Sequence, residues 1–159
     1  MRLREIRLKD FEYIFYLTNE ENIYRYIRNG KKWSEEKTER FILKNIHEQK
    51  KTIKERRYFN YIIVSDIGKD VGVIGVKSEN KKYSITVFID PNFQEKGYFT
   101  KSINLLKRRV KRYRPRISYL FFQVHQSNKK MNQIMENKYE YVKSYPIGKT
   151  TVNEYKFYL

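Results

Sequence analysis

Cysteine is absent from the 159 residues. That excludes a disulfide framework, thiolate metal sites and a catalytic thiol. Histidine is almost absent, with only His47 and His125, so a histidine-rich metal centre is excluded too. Alanine does not occur, and glycine (6) and proline (3) are scarce. With 40% hydrophobic and 16% aromatic residues, the chain reads as globular rather than disordered. No apolar run is long enough to span a membrane, and no cleavable leader is visible. The expectation is one soluble, cytoplasmic domain over 1–159, with no membrane and no metal as partners.

Acidic residues are also short: 18 Asp and Glu face 35 Lys and Arg, for a formal charge of +17. Such a balance favours anionic partners, among them nucleic acid, the ribosome, an acidic protein or a polyphosphate cofactor. A Lys- and Asn-rich coding bias explains part of this excess but should raise Glu as well.

The pattern along the chain alternates between two periods. Residues 3–8 read as a strand, and Asp10 as the cap of a short helix through Phe11, Ile14 and Leu17. Residues 28–33, RNGKKW, read as a loop with a glycine turn. Ser34 caps a second helix with a stripe at Ile42, Ile46 and Ile53. Three strands follow at 58–66, 70–78 and 82–90, joined by short turns as an antiparallel meander. A helix from about 97 to 113 has Phe99, Ile103, Leu106, Val110 and Tyr113 on one face. Then come a strand at 117–124, a short helix at 128–137 and two strands near 139–144 and 152–158. The fold class expected is α/β of the α+β kind, a mixed, mostly antiparallel sheet flanked by helices.

The segment IDPNFQEKGYFT (89–100) joins a strand to that helix. One glycine before a helix is by itself a turn signal, although a helix N-terminus also attracts phosphate. The residues Gln94-Glu95-Lys96-Gly97-Tyr98-Phe99 resemble the Q/R-x-x-G-x-G/A loop of the GNAT acetyltransferases. The downstream FFQVHQSNKKMNQIMENKYEYV (121–142) is similar to the family's next strand, the Asn after it, and the short helix before the final hairpin. The N-terminal LREIRLKDFEYIFYL looks like the branch that acetylates ribosomal-protein N-termini. Three positions depart from the pattern. Phe99 stands where Gly or Ala is usual, Met135 where many members carry an acid Tyr, and KYEYV replaces a Gly-Phe ending.

The resemblance implies acetyl-CoA as cofactor and a primary amine as acceptor, on a protein N-terminus, a lysine or a small molecule. It places the backbone of Phe88, Ile89 and Asp90 against the acetyl-pantetheine. Gln94, Glu95, Lys96, Gly97, Tyr98, Phe99 and Thr100 would hold the pyrophosphate. Asn128 would touch the pantetheine arm, and Lys129 or Lys130 the 3′-phosphate. With no Cys, direct attack in a ternary complex is the natural route.

Ser84 stands where some members carry a catalytic Glu; it would act through a held water. His125, past a strand end, titrates near neutrality and reads either as the base or as a hydrogen-bonded strand-end residue. Trp33 reads as an acceptor wall or as a lid on the helix start. The run KRRVKRYRPR (107–116) reads either as a nucleic-acid or ribosome contact or as the solvated end of its helix. The competing reading of the whole chain is a catalytically weak or inactive GNAT-fold protein that uses its basic surface to bind nucleic acid or the ribosome.

Overall fold

The computed structural model describes residues 1–27 and 30–159. Arg28 and Asn29 of the expected glycine-turn loop lie outside the described residues. Seven strands form one sheet in the order β1-β2-β3-β4-β5-β7-β6. They are β1 (Arg2–Glu5), β2 (Tyr58–Val64), β3 (Asp70–Glu79), β4 (Lys82–Ile89), β5 (Tyr119–His125), β6 (Glu140–Ile147) and β7 (Thr150–Tyr158). The helices are α1 (Phe11–Asn19), α2 (Glu21–Tyr24), α3 (Glu35–Gln49), α4 (Tyr98–Tyr113) and α5 (Lys129–Glu136). Every strand pair is antiparallel except β4 with β5.

Two apolar clusters sandwich the sheet. On one face Ile103, Leu106 and Val110 of α4 and Met135 of α5 pack with Tyr61, Ile74, Ile85, Leu120 and Phe122. Each such buried aliphatic side chain contributes roughly 1.5–3 kcal/mol. On the other face Ile14 and Leu17 of α1 and Ile42 of α3 meet Ile62, Val64 and Val73, with Phe88 against them.

The N-terminal pattern departs from expectation. β1 stops at Glu5, and Leu8–Asp10 form a 3-10 turn. Asp10 makes no side-chain cap on α1. Its carboxylate instead accepts from Arg4 Nη1 at 2.8 Å and from Arg7 N–H at 2.8 Å, because a buried carboxylate needs a cation and donors more than α1 needs a cap. Ile53 lies beyond α3, which ends at Gln49. The inner face of α3 is partly polar. Asn45 Oδ1 accepts from Asn60 Nδ2 at 2.8 Å, and Asn60 sits opposite Gly75. A Cβ at 75 would lie 1.9 Å from Asn60 Oδ1, so only glycine leaves room for this docking.

Candidate active site

β4 and β5 pair at only two positions, Ser84 with Phe121 and Ile85 with Phe122. β4 continues against β3 to Ile89, and β5 against β7 to His125. The strands therefore part from Thr86 and Gln123 onward, and the sheet opens there. The Asp90 N–H donates to Val71 O at 3.0 Å, on the β3 side. Backbone groups alternate sides along a strand, so those of Val87 and Ile89 face the opening. Gln94 Nε2 takes the Ile89 carbonyl at 3.0 Å. The Val87 and Ile89 N–H groups are thus the backbone donors aimed at the opening. Phe88 and Asp90 turn their N–H groups the other way.

The loop after β4 is built by local capping. Asp90 is buried and accepts from Asn92 N–H at 2.9 Å, which closes the turn Pro91–Phe93. Glu95 takes φ +61 and Gly97 φ +77. Lys96 Nζ donates to Asn92 O at 2.8 Å. Ser34 caps α3 and Asn128 caps α5 with side-chain oxygens, whereas α4 starts on Gly97 with no side-chain cap and no acidic residue in its first turn. A Cβ on Gly97 would meet nothing within 4 Å. The first-turn N–H groups from Tyr98 to Thr100 therefore face open space with the positive end of the helix dipole behind them. Phe99 turns inward, its ring 6.4 Å from that of Phe122, and leaves this space clear.

Across the opening, Asn128 Oδ1 accepts from Met131 N–H at 3.2 Å, so its oxygen is spent on capping α5. Lys130 pairs with Glu95, an exposed bridge that ties the loop to α5. This bridge holds the Glu95 carboxyl below its ordinary value. The residue that organises this side is Asn132, which the sequence pattern did not single out. Its amide donates to His125 O and Asn128 O, each at 2.9 Å, and its Oδ1 accepts from Asn153 Nδ2 and Tyr155 OH. The only trace in sequence is a polar residue on the otherwise apolar side of a short helix.

Side chains of β4 alternate. Tyr83, Ile85, Val87 and Ile89 turn to α4, while Phe88 joins the α1/α3 cluster. Ser84 and Thr86 share the Phe88 face by the same alternation. Ser84 lies in the closed, paired part of β4, and Thr86 is the first residue of that face beside the opening. On β5, His125 turns the same way. Its Nε2 lies 2.6 Å from Thr150 Oγ1, its Nδ1 lies 3.0 Å from Ser127 Oγ, and its ring meets Tyr26 edge-on at 6.1 Å. Burial lowers its pKa, favouring the neutral imidazole. Trp33 packs edge-on against Phe41 at 5.3 Å and Phe88 at 6.4 Å. Its Nε1 is buried without a hydrogen-bond partner.

Glu154 is 1% exposed on the β7 face shared with His125. It is held by Lys82 Nζ and by Tyr145 OH at 3.0 Å. Burial, then this bond, raises the Tyr145 phenol to about 12. Met135, buried in the core, offers no hydroxyl to a leaving group. Among the described residues, no group of three or more His, Asp or Glu is placed to hold a metal ion. No helix among them is long and apolar enough to cross a membrane.

The same architecture recurs in solved structures. A ribosomal L7/L12 α-N-protein acetyltransferase, RimL, in complex with coenzyme A superposes with TM-score 0.78 at 18% identity, covering 99% of this chain and 93% of that one. A point mutant of the spermidine N-acetyltransferase SpeG from Vibrio cholerae gives 0.74 at 16%, covering 99% and 95%. A GNAT-family acetyltransferase from Bacillus anthracis gives 0.72 at 20%, covering 99% and 92%. No curated protein sequence matches the chain. These likenesses place the opened sheet and the glycine-started helix on one shared fold. The family model described as an acetyltransferase (GNAT) domain matches residues 1–137, and the chain belongs to that family. Its acetyl donor is acetyl-CoA. The residues present fit that donor: an uncapped helix N-terminus for a diphosphate, and unpaired strand N–H groups for an amide-bearing arm.

Proposed function

We propose that the protein transfers acetyl directly to a primary amine that approaches from the α1/α3 side of the opening, and that the amine is the N-terminus of a polypeptide. Acetyl-CoA, when bound, supplies a thioester already activated for attack. The observation that carries the reading is the parting of β4 and β5 beside the uncapped start of α4.

The roles follow from placement. The first-turn N–H groups of α4, reached through the loop 94–97, would hold the diphosphate. The Val87 and Ile89 N–H groups would polarise the acetyl carbonyl, a task that needs no particular side chain. With no Cys to form an acyl-enzyme, the chain's work is to place amine and carbonyl together. Burial favours the neutral His125, which would take the amine proton by way of the Thr150 or Ser127 hydroxyl, since each of its ring nitrogens already meets one of them. Ser84, in the closed part of β4, would act only at a distance through Thr86 or a water.

Two observations favour a peptide over a free polyamine. Trp33 Nε1 is a buried donor without a partner beside Phe88, and a peptide N-terminus brings a carbonyl that a polyamine lacks. A chain of formal charge +17 also repels polycations.

The test is thiol release from acetyl-CoA with a panel of peptides, lysine analogues and spermidine. Faster release with peptides, lost on N-terminal blocking, supports the proposal. Equal or faster release with spermidine overturns the acceptor class. No thiol release and no thermal stabilisation by acetyl-CoA overturns the enzyme itself.

A further inference from the structure

Two basic segments far apart in sequence meet at the end of the molecule opposite the loop 94–97. Arg114, just past α4, donates through Nη2 to Arg56 O at 2.7 Å and Ile53 O at 3.3 Å. This ties the C-terminus of α4 to the connection between α3 and β2. α4 has 16 residues, so this end lies about 24 Å from the loop that opens it.

Segment 44–57 carries six Lys and Arg against Glu48 and Glu55; segment 107–116 carries seven against no acid. The fold itself uses five of these thirteen cations. Lys51 pairs with Glu48, Arg56 with Glu5, Lys107 with Tyr158 O, Arg109 with Leu3 O, and Arg114 with the carbonyls above. The other eight are exposed. The local acids do not neutralise them. Glu48 is 5% exposed and also accepts from the Arg57 N–H, and Glu55 accepts from Thr52.

Two of the exposed cations, Lys44 and Arg57, line a groove of about 700 Å³ between α3 and the start of β2, together with His47, Lys51, Tyr58 and the already bonded acids Glu48 and Glu55. Tyr58 is half-buried there, with Lys44 Nζ 3.8 Å above its ring. Among the described residues, the exposed large apolar side chains near these segments are Leu43 and, beside Lys107, the ring pair Tyr119 and Tyr158, with no aliphatic patch. A protein partner of useful affinity needs an apolar core to its interface, whereas a phosphodiester backbone needs only well-spread cations. A ring beneath a cation suits an unstacked base, which a single strand presents and a duplex hides.

We infer that this pole binds a single nucleic-acid strand, with backbone phosphates on Lys44, Lys54, Arg57, Lys111 and Arg112 and a base against Tyr58. The acetyl-transfer opening, at the other end of α4, plays no part in the contact.

The test is fluorescence anisotropy with a labelled, mixed-sequence RNA of about 20 nucleotides, read over a range of KCl concentrations. Lys54→Gln, Arg57→Gln and Lys111→Gln together should weaken binding about tenfold or more near 100 mM salt and cut the salt slope by about two. A control removing three exposed charges elsewhere, Lys9→Gln, Lys69→Gln and Lys149→Gln, should change affinity less than about threefold. Thermal stabilisation by coenzyme A should persist in both variants. In the unaltered protein, RNA should protect Lys44 and Lys54 from amine labelling and leave Lys9 and Lys69 labelled. Equal losses in the two variants, tighter binding of the matching duplex, equal binding of a polyglutamate of matched charge, or unprotected Lys44 and Lys54 would each overturn the inference.

Discussion

The Tyr155 hydroxyl donates to Asn132 Oδ1 at 2.8 Å, joining the middle of β7 to α5 from inside the core. Asn132 also reaches back to the carbonyls of His125 and Asn128, so one side chain holds the exit of β5, the start of α5 and β7 in register. Asn132→Leu leaves the Tyr155 hydroxyl only the distant Glu136 Oε1 at 3.4 Å, leaves the two carbonyls only their backbone donors, and removes the link between β5, α5 and β7. The expected loss is about 2–4 kcal/mol in chemical denaturation, against about 1 kcal/mol for Tyr155→Phe. A smaller effect for Asn132→Leu than for Tyr155→Phe would show that Asn132 is not the hub.

Gly97→Glu separates folding from binding. A side chain at φ +77 costs about 1 kcal/mol, and a carboxylate at a helix N-terminus returns about 0.3–1 kcal/mol. Nothing within 4 Å blocks it. The melting temperature of the free protein should therefore barely move. Affinity for coenzyme A, measured by calorimetry, should fall below detection, because the new charge occupies the anion's place. Retained affinity would remove the loop from the cofactor site.

The His125 pKa is lowered by burial. A folded-state value below the ordinary 6.5 means that the unfolded chain binds the proton more readily. Its contribution to stability is complete above pH 6.5 and is lost as pH falls through the lowered folded value. His125→Gln should flatten that part of the stability–pH curve. In the same variant kcat should drop by about 10²–10⁴ while acetyl-CoA KM stays put. A kcat unchanged across pH 5–8 would leave His125 as a strand-end residue.

Lys82 and Glu154 form an unequal pair, 33% and 1% exposed. Lys82→Met leaves a buried carboxylate with only the Tyr145 hydroxyl, and about 3 kcal/mol of stability should go. In Glu154→Gln the lysine swings to solvent, and the loss should be nearer 1 kcal/mol. Urea denaturation of the two variants checks the order; the reverse order would mean that Lys82 is the more confined partner.

Much of the sheet was readable before its structure. Residues 58–90 hold three β-branched, apolar runs cut by short turn segments, and the stripe from Phe99 to Val110 is the face that α4 buries. Local pattern failed where tertiary demands won. Asp10 looks like a helix cap, but Arg4 and the Arg7 N–H claim its carboxylate. Ile53 has the right spacing for α3, yet it lies past the helix end, where its carbonyl receives Arg114. The loop at Gly97 could be placed from sequence because strand, glycine and helix follow each other directly. The opening itself could not, since it depends on how far β5 runs beside β4. Asn132 was invisible for the same reason: its partners lie on three separate elements.

The two-residue contact between β4 and β5 has a mechanical side. α4 packs on β1, β3 and β4, while α5 packs on β5, β6 and β7. The backbone hydrogen bonds thus divide the molecule into two leaves along one seam, crossed by apolar contacts such as Phe99 with Phe122 and by the bonds of Lys82 to Glu154, Lys107 to Tyr158 O and Lys130 to Glu95. A ligand that engages both Gly97 and Asn128 is a staple across that seam. Its binding should slow hydrogen exchange in β5 and β7 as much as in the loop it touches, and the protein's cooperativity should rise with cofactor supply.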